Sequence, residues 1–122
     1  ARNLHKAARQ VSKEYGGTFP NSYIELLKLK GIGPYTAAAI ASICFHEKVP
    51  AVDGNVFRLI SRLFGIHEDI SKASTRKLFV KTIDLIMPSS VPGDFNQAMM
   101  EFGALICTPR PRCEKHAWRT LW

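Results

Sequence analysis

The chain has little of what membrane and secreted proteins need. Its 122 residues contain no uninterrupted apolar run approaching the ~20 residues of a transmembrane helix, and the first residues lack the apolar stretch of a signal peptide. Its three cysteines are an odd number, which does not suit the disulfide framework of a small secreted domain. These absences argue against secretion and against a membrane partner. They favour a protein of the cytoplasm and nucleoid, or of the nucleus.

Acidic residues are few. Asp and Glu number 10 against 17 Lys and Arg, which gives a net charge of +7 and a pI near 9.6. A basic surplus of this size favours polyanionic partners, because cationic side chains release the counterions condensed on a nucleic acid. Charge alone does not separate DNA from RNA or an anionic membrane. Hydrophobic residues make up 46% of the chain, enough to build the core of one compact unit.

Strands, repeats, low-complexity tracts and linkers are also missing, and the apolar residues follow helical spacing instead. The spacing predicts helices at residues 2–15, 54–64, 73–87 and 93–106. A further pair of helices is predicted on either side of a turn that lies within residues 26–37. Gly16 and Gly17 are expected to end the first helix, and Pro88 the helix at 73–87. Cys44 falls in the apolar phase of its helix, which predicts a buried side chain. The expected fold class is all-α.

The most informative segment is residues 26–37, LLKLKGIGPYTA. Gly31 and Gly33 can adopt positive φ and let a phosphate approach the backbone, and Pro34 suits the first turn of the helix that follows. The amides after Gly33 are then exposed at a helix N-terminus, where partial positive charge attracts an anion. The segment predicts a helix-hairpin-helix that binds a DNA phosphate. The candidate contacts are Gly31, Ile32, Gly33, Tyr35 and Thr36.

An ordinary turn between two helices is the alternative interpretation of these glycines. The flanking sequence argues against it. Ser22 and Glu25 form a capping box for the helix before the turn, and an alanine-rich stretch after it permits close packing of the second helix against the first.

A second segment, residues 52–58 with sequence VDGNVFR, places Asp53 directly before a predicted helix. Asp is a preferred N-cap, and capping explains most residues of this kind. The same helix amides favour an ionised carboxylate, which beside a bound nucleotide can stabilise the cationic sugar that forms when a glycosidic bond breaks. Asp53 is therefore the candidate catalytic residue.

Four blocks of sequence together resemble the helix-hairpin-helix DNA glycosylases, and among them the A/G-specific adenine DNA glycosylases of the MutY type. The blocks are ARNLHKAA at 1–8, GIGPYTA at 31–37, VDGNV at 52–56 and FNQAMMEFGA at 95–104. Endonuclease III relatives typically have Asp-Thr-His where this chain has Asp53-Gly54-Asn55. The resemblance implies a monomer with a partial six-helix barrel at residues 1–106. It further implies excision of adenine opposite oxidised guanine or guanine in double-stranded DNA, the adenosine being flipped out, with Asn55 among the DNA contacts.

Tyr35 refines the implied activity. Family members that also cut the strand have a lysine at this position, because an amine is needed to form a Schiff base with the sugar. A phenol cannot do so, which favours a monofunctional glycosylase over the endonuclease III-type glycosylase/lyase alternative. Thymine glycosylases of the superfamily can also carry tyrosine here, so the Asp53-Gly54-Asn55-Val56 segment discriminates better. A non-catalytic helix-hairpin-helix DNA-binding module is the remaining alternative.

The family's general acid is a glutamate on an early helix that has no counterpart in residues 1–122. Glu14, Glu25 and Glu47 lie in other contexts, and none is predicted to be the acid. The family's C-terminal domain, which reads the oxidised guanine, has no counterpart either. The chain is therefore expected to be a fragment with impaired base excision.

Residues 107–122 resemble the family's iron-sulfur loop, in which four cysteines are separated by about six, two and five residues and hold a 4Fe-4S cluster. In this chain Cys107 is followed by Cys113, His116 and Trp122 at separations of five, two and five residues. The ligand set is thus reduced to Cys107, Cys113 and His116, which predicts a degenerate remnant, with zinc or a labile cluster as alternatives. Arg110 and Arg112 lie between the cysteines and are candidate phosphate contacts, unless they are simply solvated.

Overall fold

The structure of the protein is a computed structural model that describes residues 1–115, the last of these by its backbone only. Within that range the regular secondary structure is entirely helical, which confirms the all-α prediction. The helices are α1 Arg2–Glu14, α2 Tyr23–Leu26, α3 Pro34–Phe45, α4 Gly54–Phe64, α5 Ala73–Ile86 and α6 Pro92–Leu105, followed by a short 3-10 helix at Cys113–Lys115. The four longer helices predicted from spacing end within one residue of their expected positions.

Local sequence sets the ends of these helices. The Ser22 hydroxyl accepts a hydrogen bond from the Glu25 amide at 3.3 Å and begins α2, as the capping box predicts. Pro34 occupies the first turn of α3, where an amide hydrogen would have no helical partner. Gly65 ends α4 in the left-handed conformation at φ 62°, which a residue without a Cβ adopts at little cost.

One half of the hydrophobic core lies under the hairpin. Five buried side chains from α1, α2, α3 and the turn make up this cluster: Val11, Leu26, Leu29, Ala37 and Ala41. The alanines let α3 approach α2 closely, as the sequence predicts. This packing holds the turn before α3 against the body of the domain.

The other half of the core lies between α4, α5 and α6. Its buried members are Val56, Phe57, Ile60, Phe79 and Ile83. Phe57 and Phe79 meet edge to face, with ring centroids 4.8 Å apart and an interplanar angle of 68°. From α6, Phe95, Met99 and Met100 pack against this cluster.

Helix α6 joins the two halves through two glycines. A methyl group on Gly93 would lie 2.8 Å from the carbonyl oxygen of Ser42 in α3. A methyl group on Gly103 would lie 2.8 Å from the carbonyl oxygen of Asn55 in α4. Both contacts are with backbone atoms, which cannot rotate away. Glycine at these positions therefore allows α6 to pack closely against α3 at one end and α4 at the other.

Some apolar residues are more exposed than helical spacing suggests. Cys44, predicted to be buried, is exposed in the last turn of α3, beyond the packing that buries Ala37, Ala38, Ala41 and Ser42. Leu4 and Leu105 are each 76% exposed although they share helix faces with core residues. Periodicity assigns a residue to the apolar face of its helix, but the packing of neighbouring elements decides how much of that face is buried. None of the helices in the described part of the chain is long and apolar enough to cross a membrane.

Candidate functional site

The turn before α3 presents unpaired amides to solvent. Helical hydrogen bonding in α3 begins with the Ala37 amide, which donates to the Gly33 carbonyl at 2.9 Å. No side chain caps this end of the helix. The amides of Tyr35 and Thr36 therefore lack a partner among the described residues, and both residues are exposed. An anion at this position would receive two N–H donors and the positive end of the helix dipole.

The two turn glycines have different roles. Gly31 adopts φ 81°, as predicted, and a Cβ there would collide with the side chain of Asn3. Gly33 adopts an extended conformation at φ −88° and ψ −179°, so the expectation of positive φ was wrong at this position. The reason is that Gly33 is the N-cap of α3, and N-cap residues have extended backbones. Nothing lies within 4 Å of a Cβ placed on Gly33, which leaves its approach open. Ile32, by contrast, is half-buried and packs on the core.

Asp53 caps α4. One carboxylate oxygen accepts the Val56 amide at 2.8 Å, and the other accepts the Asn55 side-chain amide at 3.4 Å. The capping interpretation is therefore right, and it does not compete with a catalytic one. Asp53 remains only half-buried, so its carboxylate is accessible while its orientation is set by two donors.

Tyr35 connects the hairpin to Asp53. Burial, and secondarily the negative charge of Asp53, raise the pKa of the Tyr35 phenol above its ordinary value. The phenol donates a hydrogen bond to the sulfur of Met100 at 2.7 Å, which orients the ring toward α6. A cavity lined by Pro34 and Tyr35 at the start of α3 and by Val52 and Phe57 beside the Asp53 cap brings the two helix ends together.

Arg58 supports the Asp53 cap from behind and was not among the predicted site residues. Its guanidinium donates to the Asn55 side-chain oxygen at 2.8 Å, to the Gly103 carbonyl at 2.6 Å and to the Cys107 carbonyl at 2.8 Å. A continuous chain of hydrogen bonds thus runs from Asp53 through Asn55 to the end of α6. The sequence signal is an arginine one helical turn after Asn55, and its partners about 45 residues away are not visible in the sequence.

Asn55 was predicted to contact DNA. In the structure both polar ends of its side chain bind protein groups, the amide nitrogen Asp53 and the oxygen Arg58. These bonds give Asn55 a positioning role within the site. A DNA contact through the Asn55 side chain stays a prediction.

The segment after α6 is held by a second arginine of α4. Arg62 donates to the Thr108 carbonyl at 2.7 Å, to the Pro109 carbonyl at 3.1 Å and to the sulfur of Cys107 at 3.2 Å. Cys107 is 2% exposed, whereas Cys113 is partly exposed. Residues 103–109 are thereby fastened to α4.

The described residues do not fit a four-iron cluster. Among them no group of three or more His, Cys, Asp or Glu side chains is arranged to hold a metal ion. Cys107 and Cys113 supply two thiols against the four that such a cluster needs, and the sulfur of Cys107 is engaged by Arg62. His116, the third predicted ligand, lies outside the described residues. Arg110 and Arg112 are both exposed, and their proposed DNA contacts stay predictions.

The three glutamates set aside as general acids have structural partners. Glu14 accepts a hydrogen bond from Gln10 at 3.1 Å, and Glu25 forms an ion pair with Lys28 at 2.8 Å. Glu47 accepts the Tyr23 amide at 2.7 Å at the start of α2. Each carboxylate has a role in the fold that accounts for its position.

Comparison with known proteins gives the same class as the geometry. The helix-hairpin-helix motif family matches residues 14–43. A thermostable thymine-DNA glycosylase superposes with a TM-score of 0.86 at 35% identity, covering 98% of this chain and 55% of that chain. A non-covalent Endonuclease III–DNA complex superposes with a TM-score of 0.78 at 27% identity, covering 98% and 55%. The fold is thus that of the helix-hairpin-helix DNA glycosylases.

Similarity to curated proteins identifies the family more closely. The chain is 42% identical over 114 residues to the adenine DNA glycosylase of Schizosaccharomyces pombe, covering 92% of this chain and 25% of that protein. It is 47% identical over 114 residues to the Arabidopsis thaliana adenine DNA glycosylase (93% and 18%), and 42% identical over 116 residues to that of Homo sapiens (93% and 21%). The chain is thus similar, over nearly all of its own length, to a segment of the adenine DNA glycosylases. It spans a quarter or less of the length of these relatives.

Proposed function

We propose that this chain is the DNA-binding and carboxylate-bearing part of an adenine DNA glycosylase. The reaction is hydrolysis of the N-glycosidic bond of adenine mispaired with oxidised guanine or guanine, a step of base-excision DNA repair. Residues 1–106 are proposed to form the glycosylase domain and residues 107–122 a degenerate iron-sulfur loop. The observation that carries the proposal is the pair of unpaired amides at the start of α3 together with the Asp53 carboxylate at the start of α4, two helix ends that flank one cavity.

The proposed division of labour follows from this placement. The amides of Tyr35 and Thr36 bind a backbone phosphate of duplex DNA, which holds the strand beside the site without reading its sequence. An adenosine flipped out of the stack then brings its sugar toward Asp53. Arg110 and Arg112 are proposed to add phosphate contacts from the segment after α6.

The proposed chemistry is cleavage through a cationic sugar. The bond from C1′ to N9 of adenine breaks, and its electron pair leaves with the base. The carboxylate of Asp53 stabilises the positive charge that develops on the sugar, and water adds to C1′ and releases a proton to solvent, which balances the proton that adenine takes up. Protonation of the departing adenine requires an acid, and no residue of this chain is assigned that role.

Tyr35 makes strand cleavage an unfavoured second activity. A phenol forms no Schiff base with the sugar, because that bond requires an amine nitrogen. The proposed enzyme is therefore monofunctional.

The decisive test replaces Asp53 with asparagine. Asp53→Asn keeps an N-cap oxygen for the Val56 amide and removes the charge together with the 3.4 Å bond from the Asn55 side-chain amide, so the cap of α4 should be largely retained. Base release from a duplex carrying adenine opposite oxidised guanine should fall by at least two orders of magnitude, with duplex affinity retained. Base release is measured with a longer polypeptide that contains residues 1–122, because no residue of this chain is assigned as the acid.

Asp69→Asn is the matched control. Like Asp53, Asp69 accepts a hydrogen bond from a nearby backbone amide, that of Ser71 at 2.9 Å. Asp69 is exposed, however, in the loop before α5. The control should retain base release. Undiminished release by Asp53→Asn would return Asp53 to a purely capping role and leave a non-catalytic DNA-binding module as the function.

A further inference from the structure

Helix α1 carries a stripe of four cations. Arg2, Lys6, Arg9 and Lys13 follow one another at separations of four, three and four residues, so they fall within about 60° of arc on one side of the helix. All four residues are exposed. We call these four residues the basic stripe.

The basic stripe has no partner within the fold. None of its side chains forms an ion pair in the part of the chain that the structure describes. The first turn of α1 contains no acidic residue, and the single carboxylate of the helix, Glu14, is engaged by Gln10. The basic stripe is therefore not explained by pairing within the domain.

The basic stripe also opposes the stability of α1. The pairs Arg2–Lys6 and Arg9–Lys13 are four residues apart and repel each other, since side chains at this spacing are neighbours. A row of cations that destabilises its own helix indicates that these side chains bind an anion outside the fold.

A neighbouring side of α1 is fastened to the hairpin. The Gln10 side chain accepts a hydrogen bond from the Lys30 amide at 3.1 Å and donates to the Lys28 carbonyl at 3.1 Å. Asn3, two turns earlier on the same side, packs against Gly31. Gln10 lies about 70° around the helix from the middle of the basic stripe. The stripe is thus held beside the phosphate-binding turn at a set orientation.

We propose that the basic stripe is a second phosphate-binding surface, which continues the hairpin contact along the DNA backbone. This inference rests on the DNA binding in the proposed function. From Arg2 to Lys13 the stripe is about 16 Å long at the helical rise of 1.5 Å per residue. One DNA strand presents a phosphate roughly every 3.4 Å along the duplex axis, so several phosphates lie within its reach. Lys and Arg contact phosphates without reading bases, so this surface adds affinity and no sequence preference.

The test measures how duplex affinity depends on salt. The stripe variant carries R2Q, K6Q, R9Q and K13Q together, since glutamine keeps helix propensity near that of Lys and Arg. The plot of log affinity against log salt should lose about 0.9 in slope for each phosphate contact removed, up to about 3.6 for four. A second variant with R2K and R9K should keep the slope of the unsubstituted chain, because the slope depends on the number of positive charges and lysine keeps that number.

The matched control removes the same number of charges from the region of α5. K48Q, K72Q, K77Q and K81Q together should change the slope by less than half as much as the stripe variant. Thermal unfolding by circular dichroism should show that the stripe variant is folded, with an unchanged or raised Tm because repulsion is removed. An unchanged slope in the stripe variant, or an equal loss in both variants, would overturn the proposed surface while leaving the hairpin assignment standing. If the unsubstituted chain binds no duplex, the proposed function itself is wrong together with the stripe.

Discussion

Replacing Gly103 with alanine tests the contact that brings α6 against the start of α4. The added methyl group would lie 2.8 Å from the Asn55 carbonyl oxygen and 3.0 Å from its carbonyl carbon, inside van der Waals contact. Since the obstructing atoms belong to the backbone, α6 and α4 must separate slightly. The same separation would stretch the hydrogen bond from Arg58 to the Gly103 carbonyl and move the segment that carries Asp53.

Two opposing effects set the magnitude. Alanine in place of glycine within a helix stabilises by roughly 1 kcal/mol. Overpacking against a buried neighbour destabilises by about 1–3 kcal/mol. Gly103 is buried against Asn55, so overpacking should prevail, and the net loss in free energy of unfolding should reach up to about 2 kcal/mol. For a domain of this size that loss corresponds to a Tm lower by up to roughly 8 °C.

Chemical denaturation and thermal unfolding of Gly103→Ala measure the loss, with Gly54→Ala as the control. Gly54 is also helical, but nothing lies within 4 Å of a Cβ placed there, so its variant should be neutral or slightly stabilised. Displacement of the Asn55 backbone should in addition slow base release by on the order of tenfold, because catalysis is sensitive to sub-ångström placement. A Gly103→Ala protein as stable as the Gly54→Ala protein would refute the close packing of α6 on α4.

Two further predictions concern the site. Arg58→Met should lower the free energy of unfolding by about 2–3 kcal/mol, because it leaves the Gly103 carbonyl without its charged donor and the Cys107 carbonyl with only the 3.5 Å bond from Arg62. Arg58→Lys should recover only part of the loss, because an ammonium lacks the guanidinium fork. Denaturation curves in which the lysine variant equals the original would contradict this. The Tyr35 phenol, followed by ultraviolet absorbance and assigned with Tyr35→Phe, should titrate with a pKa above the ordinary value of 10.0. Asp53→Asn should bring this pKa part of the way down, since burial, the larger cause, remains. Because the folded state holds this proton more tightly, the contribution of Tyr35 to stability is complete below pH 10.0 and is lost as pH rises through the folded pKa.

Local sequence predicted the parts of the site that depend on a few neighbouring residues. The Ser22 cap, the positive φ of Gly31 and the Asp53 cap are set within one helical turn, and all three are present. Gly33 was interpreted as a second residue with positive φ and proved extended, because glycine permits both conformations and the sequence alone does not choose between them.

By itself, the sequence determined the helices, the hairpin and the carboxylate that follows it, because periodicity, capping and turn chemistry act over short distances along the chain. Only the tertiary structure decided what stands behind that carboxylate. Arg58 meets the Gly103 carbonyl across 45 residues and the Cys107 carbonyl across 49, and Tyr35 meets the Met100 sulfur across 65. Contacts of this kind arise when helices pack, and no spacing rule along a single chain encodes which carbonyl or sulfur a side chain will reach. The exposure of Cys44 has the same origin, since its helix face is apolar in sequence but the packing ends before it.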